Sequence, residues 1–569
     1  MKKRYLWRYF APFSFIACLL AHATLTVNAT ELMHGDVDAG RKLYMYGLNS
    51  RGDPVVATTQ GDVEFSGAQF SCVSCHRPSG FGSSEGGYYV PPITGTKIFN
   101  PAEADRVERF KEMFQESQPS SFWAQVREPR LRPAYDEKAL SRVLREGINP
   151  NGERLNLIMP RYDISDVDMA NLIAFLRTLS AEIDPGVEKH SIHFATVLTE
   201  YADKASSSAV LKTISSFFTW INKDTEGDLE HPNFSPGYRS TFLDAYRRWV
   251  LHVWELKGAP ESWPRQLEAY YSDQPVFAVV SGLVQGPWDR IGDFCDEQRL
   301  PCLFPNTDLP RLRDIDHQYS VYFSGGLGLE ARAIATHLSR LKHPPKVLTQ
   351  IWHDDPYGAI PAQAFITAIK ALAPDTIIEN IPYRDIVELN TTLKLLHGKS
   401  DRDALVLWPG QNIKEAISSI VQNVPTAAVI TLPFSALQPA KNITSGNVIK
   451  RVVFSHPYEL PTRYHPRKFR VRAWMHSRRL QVTHPRLQYQ TYYALTLLQY
   501  GLSHLLADFH RDYLIELIEH EAENRLNPGT HPSLALGPGQ RLASKGAYIV
   551  QLDPNSKGGF KALTEWIVP

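Results

Sequence analysis

The sequence of 569 residues is poor in cysteine, with five in all, and its opposite charges nearly cancel. Its formal net charge is +1, with 21% charged and 43% hydrophobic residues. This balance gives neither the basic excess typical of nucleic-acid binding nor the composition of a disordered chain. Beyond the first thirty residues, no apolar run approaches the roughly 20 residues of a membrane span. The length exceeds that of one ordinary domain and therefore predicts several.

The N-terminus has the pattern of a secretory signal peptide. Four basic residues among the first eight precede an apolar stretch from Phe10 to Leu20, and small residues follow up to possible cleavage sites after Ala23 or Ala29. We therefore predict a signal peptide over residues 1–29, a periplasmic location and no membrane span after its removal. An uncleaved anchor is the alternative, although the apolar stretch is short for a bilayer.

A motif of chemical importance lies at Cys72, Cys75 and His76, which form one Cys-x-x-Cys-His sequence. Two thiols on one helical turn can add to the two vinyl groups of haem, while the adjacent histidine reaches the iron. A redox dithiol would not require the histidine, and a zinc site would need a second close Cys/His pair. The motif therefore predicts one covalent haem c, with Cys72 and Cys75 as attachment points and His76 as an iron ligand.

The segments around this motif follow the order found in a known group of haem proteins. Asp36 to Tyr44 predicts a first helix, an insertion from Leu48 to Phe70 predicts a loop or small hairpin, and Val90 to Ile93 is a proline segment. Residues 31–181 thereby resemble the class I cytochrome c family, an all-α fold. The resemblance implies that Gly40 and Tyr44 lie where the terminal helices cross. It also implies that the proline segment offers a carbonyl to His76, with a simple turn as the alternative.

The same resemblance suggests the second iron ligand. Met159 is followed by proline and then by Ser165 and Asp168, a capping pattern ahead of an apolar-periodic helix. This looks like the methionine loop of the cytochrome family and implies that Met159 is the other axial ligand. Three further methionines fall inside predicted helices, where methionine usually fills the core: Met45, Met113 and Met169.

From residue 191 onward, short apolar runs alternate with amphipathic segments. The runs that predict strands are Ser191 to Leu198, Trp249 to Trp254, Val276 to Ser281, Cys302 to Pro305, Tyr319 to Ser324, Lys346 to Trp352, Thr376 to Tyr383 and Ala404 to Trp408. Of these, Trp249 to Trp254 could also belong to a helix. Amphipathic segments lie at Pro287 to Arg299, Leu327 to Leu341, Ala359 to Ala373 and Ile413 to Val421. The alternation predicts a doubly wound parallel α/β sheet.

The order of these elements resembles type I periplasmic binding proteins of the branched-chain amino-acid-binding kind, over roughly residues 190–460. That family holds its ligand in a cleft between two lobes, on loops that follow strands. Carried over by position, the implied ligand contacts are Ser281, Gly282, Ser324, Gly325 and Tyr357, with Trp408 as an apolar wall. For each of them an ordinary turn or a structural role is the alternative.

These segments predict the domain boundaries of the chain. The turn at Asp184 to Gly186 predicts a linker over 183–190, between a cytochrome c domain over 30–182 and the binding-protein-like region over 191–460. We predict that residues 461–569 form a helical extension packed on that region, with a strand at Ala547 to Leu552. The stretch from Leu487 to Phe509 predicts a helix that covers the second lobe, with a partner-binding surface as the alternative.

Two cysteines remain outside the signal and the haem motif. Cys295 and Cys302 lie close in sequence, between a predicted helix end and a strand start, and an oxidising compartment would let them bond. We predict a disulfide, with two buried apolar cysteines as the alternative.

Three functions compete at this point. The first is a periplasmic mono-haem electron carrier whose α/β region recognises a small molecule or docks a redox partner protein. The second is an oxidoreductase whose α/β region passes substrate electrons to the haem. The third is a substrate-binding receptor of the ABC-transporter type with an appended cytochrome. An enzyme is less favoured than a carrier or binding protein, because no second cofactor fingerprint and no histidine metal triad is evident in the sequence.

Overall fold

The computed structural model describes residues 35–59, 63–67, 69–85, 88–102, 131–230, 246–311, 318–396, 403–423, 427–441, 450–462, 467–522 and 527–569. The predicted signal peptide and Met113 lie outside these residues. Among the helices within them, none is both long enough and apolar enough to cross a membrane.

The N-terminal region combines short helices with a small sheet. The two helices that cross in this region begin at capping side chains: Asp36 accepts hydrogen bonds from the amides of Asp38 and Ala39, and Ser165 accepts one from the amide of Asp168, as the capping pattern predicts. The elements are helices α1 (Val37–Tyr46), α2 (Cys72–His76), α3 (Gly95–Ile98), α4 (Glu137–Glu146) and α5 (Asp166–Thr178), and strands β1 (Val56–Thr58), β2 (Glu64–Ser66), β3 (Ser84–Glu85), β4 (Tyr88–Tyr89) and β5 (Arg161–Asp163).

This region differs from the all-α fold that we expected. The insertion after α1 folds into the antiparallel hairpin β1–β2, and β5 pairs with the free edge of β1, which gives a three-stranded sheet. The inserted segment alternates exposed and buried residues, and Ala57 at its centre is fully buried against the helices. The insertion therefore adds a sheet to the expected set of helices.

Lobe 1 of the following region is a six-stranded parallel sheet in the order β16-β10-β9-β8-β6-β7. Strand β6 (Ser191–Thr199), which has a neighbouring strand on each side, is buried along eight of its nine residues, which explains its nearly continuous apolar sequence. The strands are β6 (Ser191–Thr199), β7 (Arg248–Leu256), β8 (Ala278–Val280), β9 (Cys302–Leu303), β10 (Ser320–Ser324) and β16 (Leu542–Ser544), with helices α6 (Lys204–Glu230), α7 (Trp263–Asp273) and α8 (Asp289–Glu297).

Lobe 2 contains a seven-stranded sheet in the order β12-β11-β13-β14-β15-β17-β18. The first five strands are parallel and the last two antiparallel. Its elements are β11 (Val347–His353), β12 (Ile377–Tyr383), β13 (Ala404–Trp408), β14 (Val429–Leu432), β15 (Val452–His456), β17 (Tyr548–Leu552), β18 (Phe560–Ala562), α9 (Gly326–Ser339), α10 (Pro356–Leu372), α11 (Ile386–Leu396), α12 (Ile413–Gln422) and α13 (Leu437–Ala440). The two-lobe α/β architecture that the sequence predicts is thus confirmed.

The C-terminal extension contributes to both lobes. It contains α14 (Arg467–Ser477), α15 (Pro485–Leu505) and α16 (Arg511–Glu521), and then supplies β16 to lobe 1 and β17 and β18 to lobe 2. We expected α15 to cover the second lobe, but it packs on the core of lobe 1. Tyr493 on α15 is fully buried, with its ring 5.9 Å from Phe304 and 6.2 Å from Phe323. The C-terminal extension thus covers the apolar face of the lobe 1 strands.

Cys295 at the end of α8 and Cys302 at the start of β9 form the predicted disulfide. Their Cα atoms are 6.3 Å apart, and both residues are buried. The bond ties the end of the helix to the strand that follows it.

Candidate functional site

The haem motif forms the single helical turn α2. Cys72 is buried and Cys75 is partly exposed, and neither cysteine forms a disulfide bond. His76 is buried, with its Nδ1 atom 3.1 Å from the carbonyl oxygen of Pro91, the contact that the cytochrome resemblance implies. Burial lowers the pKa of His76 to about 4, so the ring is neutral at neutral pH. A neutral imidazole whose Nδ1 donates to a carbonyl keeps its Nε2 lone pair for a metal.

The terminal helices α1 and α5 cross at Gly40 and Tyr44, as the resemblance implies. A Cβ atom on Gly40 would lie 2.0 Å from the carbonyl oxygen of Asn171 and 2.9 Å from Cβ of Phe175. The buried ring of Tyr44 lies 5.2 Å from that of Phe175, and its hydroxyl donates to the carbonyl of Arg77, directly after the haem motif. The crossing therefore positions the end of α2.

Met159 lies on the loop between α4 and β5 and is half-buried against the core of the N-terminal region. Its amide donates to the carbonyl of Asn156 at 3.1 Å, and its own carbonyl accepts a hydrogen bond from Arg161. Met45 and Met169 are buried core residues of α1 and α5. The two thiols, the buried neutral histidine and the methionine are residue types that can hold a haem c.

The loop after the haem motif is docked on α16 of the extension. Glu516 accepts hydrogen bonds from the amide and hydroxyl of Ser79 at 2.8 and 2.6 Å, and the ring of Phe81 stacks on Tyr513 at 4.3 Å. Arg77 lies 3.4 Å from Glu519. Burial raises the pKa of Glu516 to about 8. The motif segment is thus fixed to the extension that also packs on lobe 1.

Two of the predicted ligand loops meet between the lobes. The amide of Gly286 in lobe 1 donates to the hydroxyl of Tyr357, at the start of α10 in lobe 2, at 2.7 Å. Gly282 in the same lobe 1 loop has φ +98°, and a Cβ atom there would lie 2.3 Å from the carbonyl oxygen of Val197. Only glycine fits this position. Tyr357 and the Gly282 loop therefore meet across the lobes.

The other predicted contacts have partners within the protein. Ser281 is buried, with its hydroxyl 3.0 Å from that of Thr491 on α15, because α15 packs on lobe 1. The hydroxyl of Ser324 accepts a hydrogen bond from the amide of Gly326, and Gly325 is the residue before α9. Trp408 is a core residue whose indole donates to Gln350 at 3.0 Å.

Sequence patterns missed a group of residues around Tyr458, after β15. Arg486 on α15 donates a hydrogen bond to the Tyr458 hydroxyl, and the ring of Tyr458 lies 4.7 Å from Phe434 and 5.1 Å from His531. These residues come from lobe 2 and from two separate parts of the extension. No spacing in the sequence connects them.

In the described part of the chain, no group of three or more His, Cys, Asp or Glu residues is placed to hold a metal ion.

Comparisons with known proteins bear on the two lobes. No family model matches the chain, and no curated protein matches it in sequence. Among solved structures, a branched-chain amino acid ABC transporter protein from Thermus thermophilus, with bound valine, is 11% identical with a TM-score of 0.50, over 67% of this chain and 97% of its own. A fatty acid ABC transporter substrate-binding protein from Thermomonospora curvata is 13% identical with a TM-score of 0.46, over 68% and 95%. The similarity to the Thermus structure shows that the two lobes have the type I periplasmic-binding-protein fold.

Proposed function

We propose that the chain is a periplasmic binding protein that recognises a small molecule between its two α/β lobes. The observation that carries the proposal is the hydrogen bond from Gly286 to Tyr357, which joins strand-end loops of opposite lobes. Ligands of doubly wound sheets bind outside the carboxyl ends of the strands, where both loops lie. The Thermus structure contains valine, so aliphatic amino acids are the first ligands to test.

Calorimetric titration of the full chain with valine and leucine tests this function. Saturable binding of either is expected, and the Tyr357→Phe variant should bind about 2- to 10-fold more weakly, because it loses one hydrogen bond between the lobes. Tyr89→Phe is the matched control, since Tyr89 is half exposed and belongs to β4 of the N-terminal region, outside the two lobes. Absence of saturable binding by these and other small organic molecules would contradict the proposal.

The second function that we propose is electron transfer through one haem c, exchanged with a redox partner protein. The contact of His76 with the Pro91 carbonyl supports it, because such a bond orients a ligating imidazole. Cys72 and Cys75 would hold the group by thioether bonds, with His76 and Met159 as iron ligands. A haem bound in this way supplies transfer of one electron at a time.

Mass spectrometry tests the haem proposal after expression with a cytochrome maturation system. The mature chain should carry the mass of one added haem, and a variant with Cys72→Ser and Cys75→Ser should lack it. A variant with Cys295→Ser and Cys302→Ser is the matched control and should keep it, because those cysteines pair with each other. A mature parent chain without the added mass would refute the proposal.

A further inference from the structure

Arg486 lies at the second position of α15, where it contacts Tyr458, a residue that follows strand β15 of lobe 2. The helix is anchored there by the hydrogen bond between Thr491 and Ser281 of the lobe 1 loop. Arg486 donates to the Tyr458 hydroxyl, and its guanidinium carbon lies 4.7 Å from the centre of the Tyr458 ring. The side chain is exposed to solvent although protein surrounds it closely, as expected of a group that lines a cleft. The extension thus places a cation between the lobes.

The charge of Arg486 has no direct counter-ion in the described part of the chain, where no carboxylate lies within 4 Å of it. The surrounding protein lowers its pKa, but Tyr458 and the carboxylate of Asp308 outweigh this and raise it above the usual value. Its hydrogen bond to Tyr458 occupies Nη1, and Nε and Nη2 bond to no described residue. The guanidinium group of Arg486 therefore has N–H groups that can donate hydrogen bonds to a ligand.

The surroundings of this fork are aromatic. Phe434 and His531 pack against Tyr458, at 4.7 and 5.1 Å between ring centroids. His531 is fully buried, and its Nε2 atom has no described hydrogen-bond partner. Burial, Arg486 and His456 lower the pKa of His531 to about 3, so it adds no charge. Among the described residues of this group, Arg486 is charged and the rings around it are neutral, an environment that suits a small organic anion.

We infer that Arg486 binds the carboxylate group of the small molecule held in the cleft, whose apolar body lies on the ring of Tyr458. The inference rests on the proposed binding function and names the chemical class of its ligand. A carboxylate matches the planar guanidinium fork with two parallel hydrogen bonds. A phosphate matches the site less well, because it would bring a second negative charge to a guanidinium whose pKa the carboxylate of Asp308 already raises.

The test compares acids with their neutral amides. The full chain is titrated with valine and valinamide, isovalerate and isovaleramide, and benzoate and benzamide. The acid of at least one pair should bind at least about tenfold more tightly than its amide. Arg486→Gln should abolish this preference and Arg486→Lys should reduce it, because lysine keeps the charge and loses the fork. Arg265→Gln is the control, since Arg265 is exposed on α7 of lobe 1.

The outcomes separate the two proposals. Equal binding of acids and amides, or an unchanged preference in Arg486→Gln, overturns the carboxylate inference and leaves the binding function standing. Absence of binding by all six compounds and by a broader set of small molecules overturns both. If Arg486→Gln is unfolded by circular dichroism, Tyr458→Phe replaces it. That variant keeps the ring, loses the hydroxyl that positions the guanidinium, and should weaken the acid preference about 2- to 10-fold.

Discussion

Replacement of Gly40 by alanine tests the crossing of α1 and α5, which supports the haem motif. Helix propensity alone predicts that Gly40→Ala stabilises α1 by about 1 kcal/mol. The structure predicts the opposite, because the new Cβ atom would lie 2.0 Å from the backbone carbonyl oxygen of Asn171. A backbone atom cannot rotate away as a side chain can, so the two helices must separate.

The magnitude follows from these opposing effects. Overpacking costs typically about 1–3 kcal/mol, and contact with backbone places Gly40→Ala at the upper end. After subtraction of the gain in helix propensity, we expect a net loss of about 2 kcal/mol. Gly328→Ala in α9 is the matched control, because its Cβ atom would meet only Arg332, at 3.9 Å. That variant should be neutral or stabilised by up to about 1 kcal/mol.

Hydrogen exchange of backbone amides is the suitable assay, since a chain of several domains does not unfold in one step. Exchange over residues 37–46 and 166–178 should be about 30-fold faster in Gly40→Ala than in the parent chain. Lobe 2 should be unaffected. Equal or slower exchange in α1 would refute the argument that close packing of these helices requires glycine.

Three further predictions concern other parts of the molecule. The pKa of Glu516 is raised by burial to about 8, so the folded chain binds more protons than the unfolded one and loses stability as pH rises from about 4.5 to about 8; the protection of α16 amides against hydrogen exchange should fall over this range, Glu516→Gln should flatten the dependence, and an unchanged slope would contradict it. Thiol labelling in denaturant without reductant should leave Cys295 and Cys302 unmodified, and two labelled cysteines there would show that the disulfide is absent. Met159→Ala should remove the sulfur-to-iron absorption band of the haem-loaded chain and admit imidazole, and an unchanged band would place the ligand elsewhere.

Local patterns in the sequence are sufficient for most elements of the two lobes. The run from Ser191 to Leu198 is apolar because β6 is buried on both faces. The observed strand ends at Thr199, one residue beyond the predicted end. The capping pair Ser165 and Asp168 likewise marks the start of α5. The helical interpretation of Trp249 to Trp254 is excluded only by pairing with β6, a contact that no local window contains.

The candidate site is less predictable, because its residues meet through long-range packing. Ser281 matches a ligand-binding position, yet its hydroxyl faces Thr491, because the extension approaches lobe 1 there. Trp408 ends a strand as expected but points into the core, where Gln350 accepts its indole. Arg486 and Tyr458 are 28 residues apart and carry no shared motif. Their pairing depends on how the extension crosses between the lobes.

A crystal structure of the full chain with a bound ligand tests the central claim most directly. The proposal predicts electron density for a small organic molecule between the loop of Gly282 and the start of α10 at Tyr357, with a carboxylate at Arg486. The contradicting result is a cleft filled by the protein's own side chains, with no density between the lobes after soaking with valine, isovalerate and benzoate.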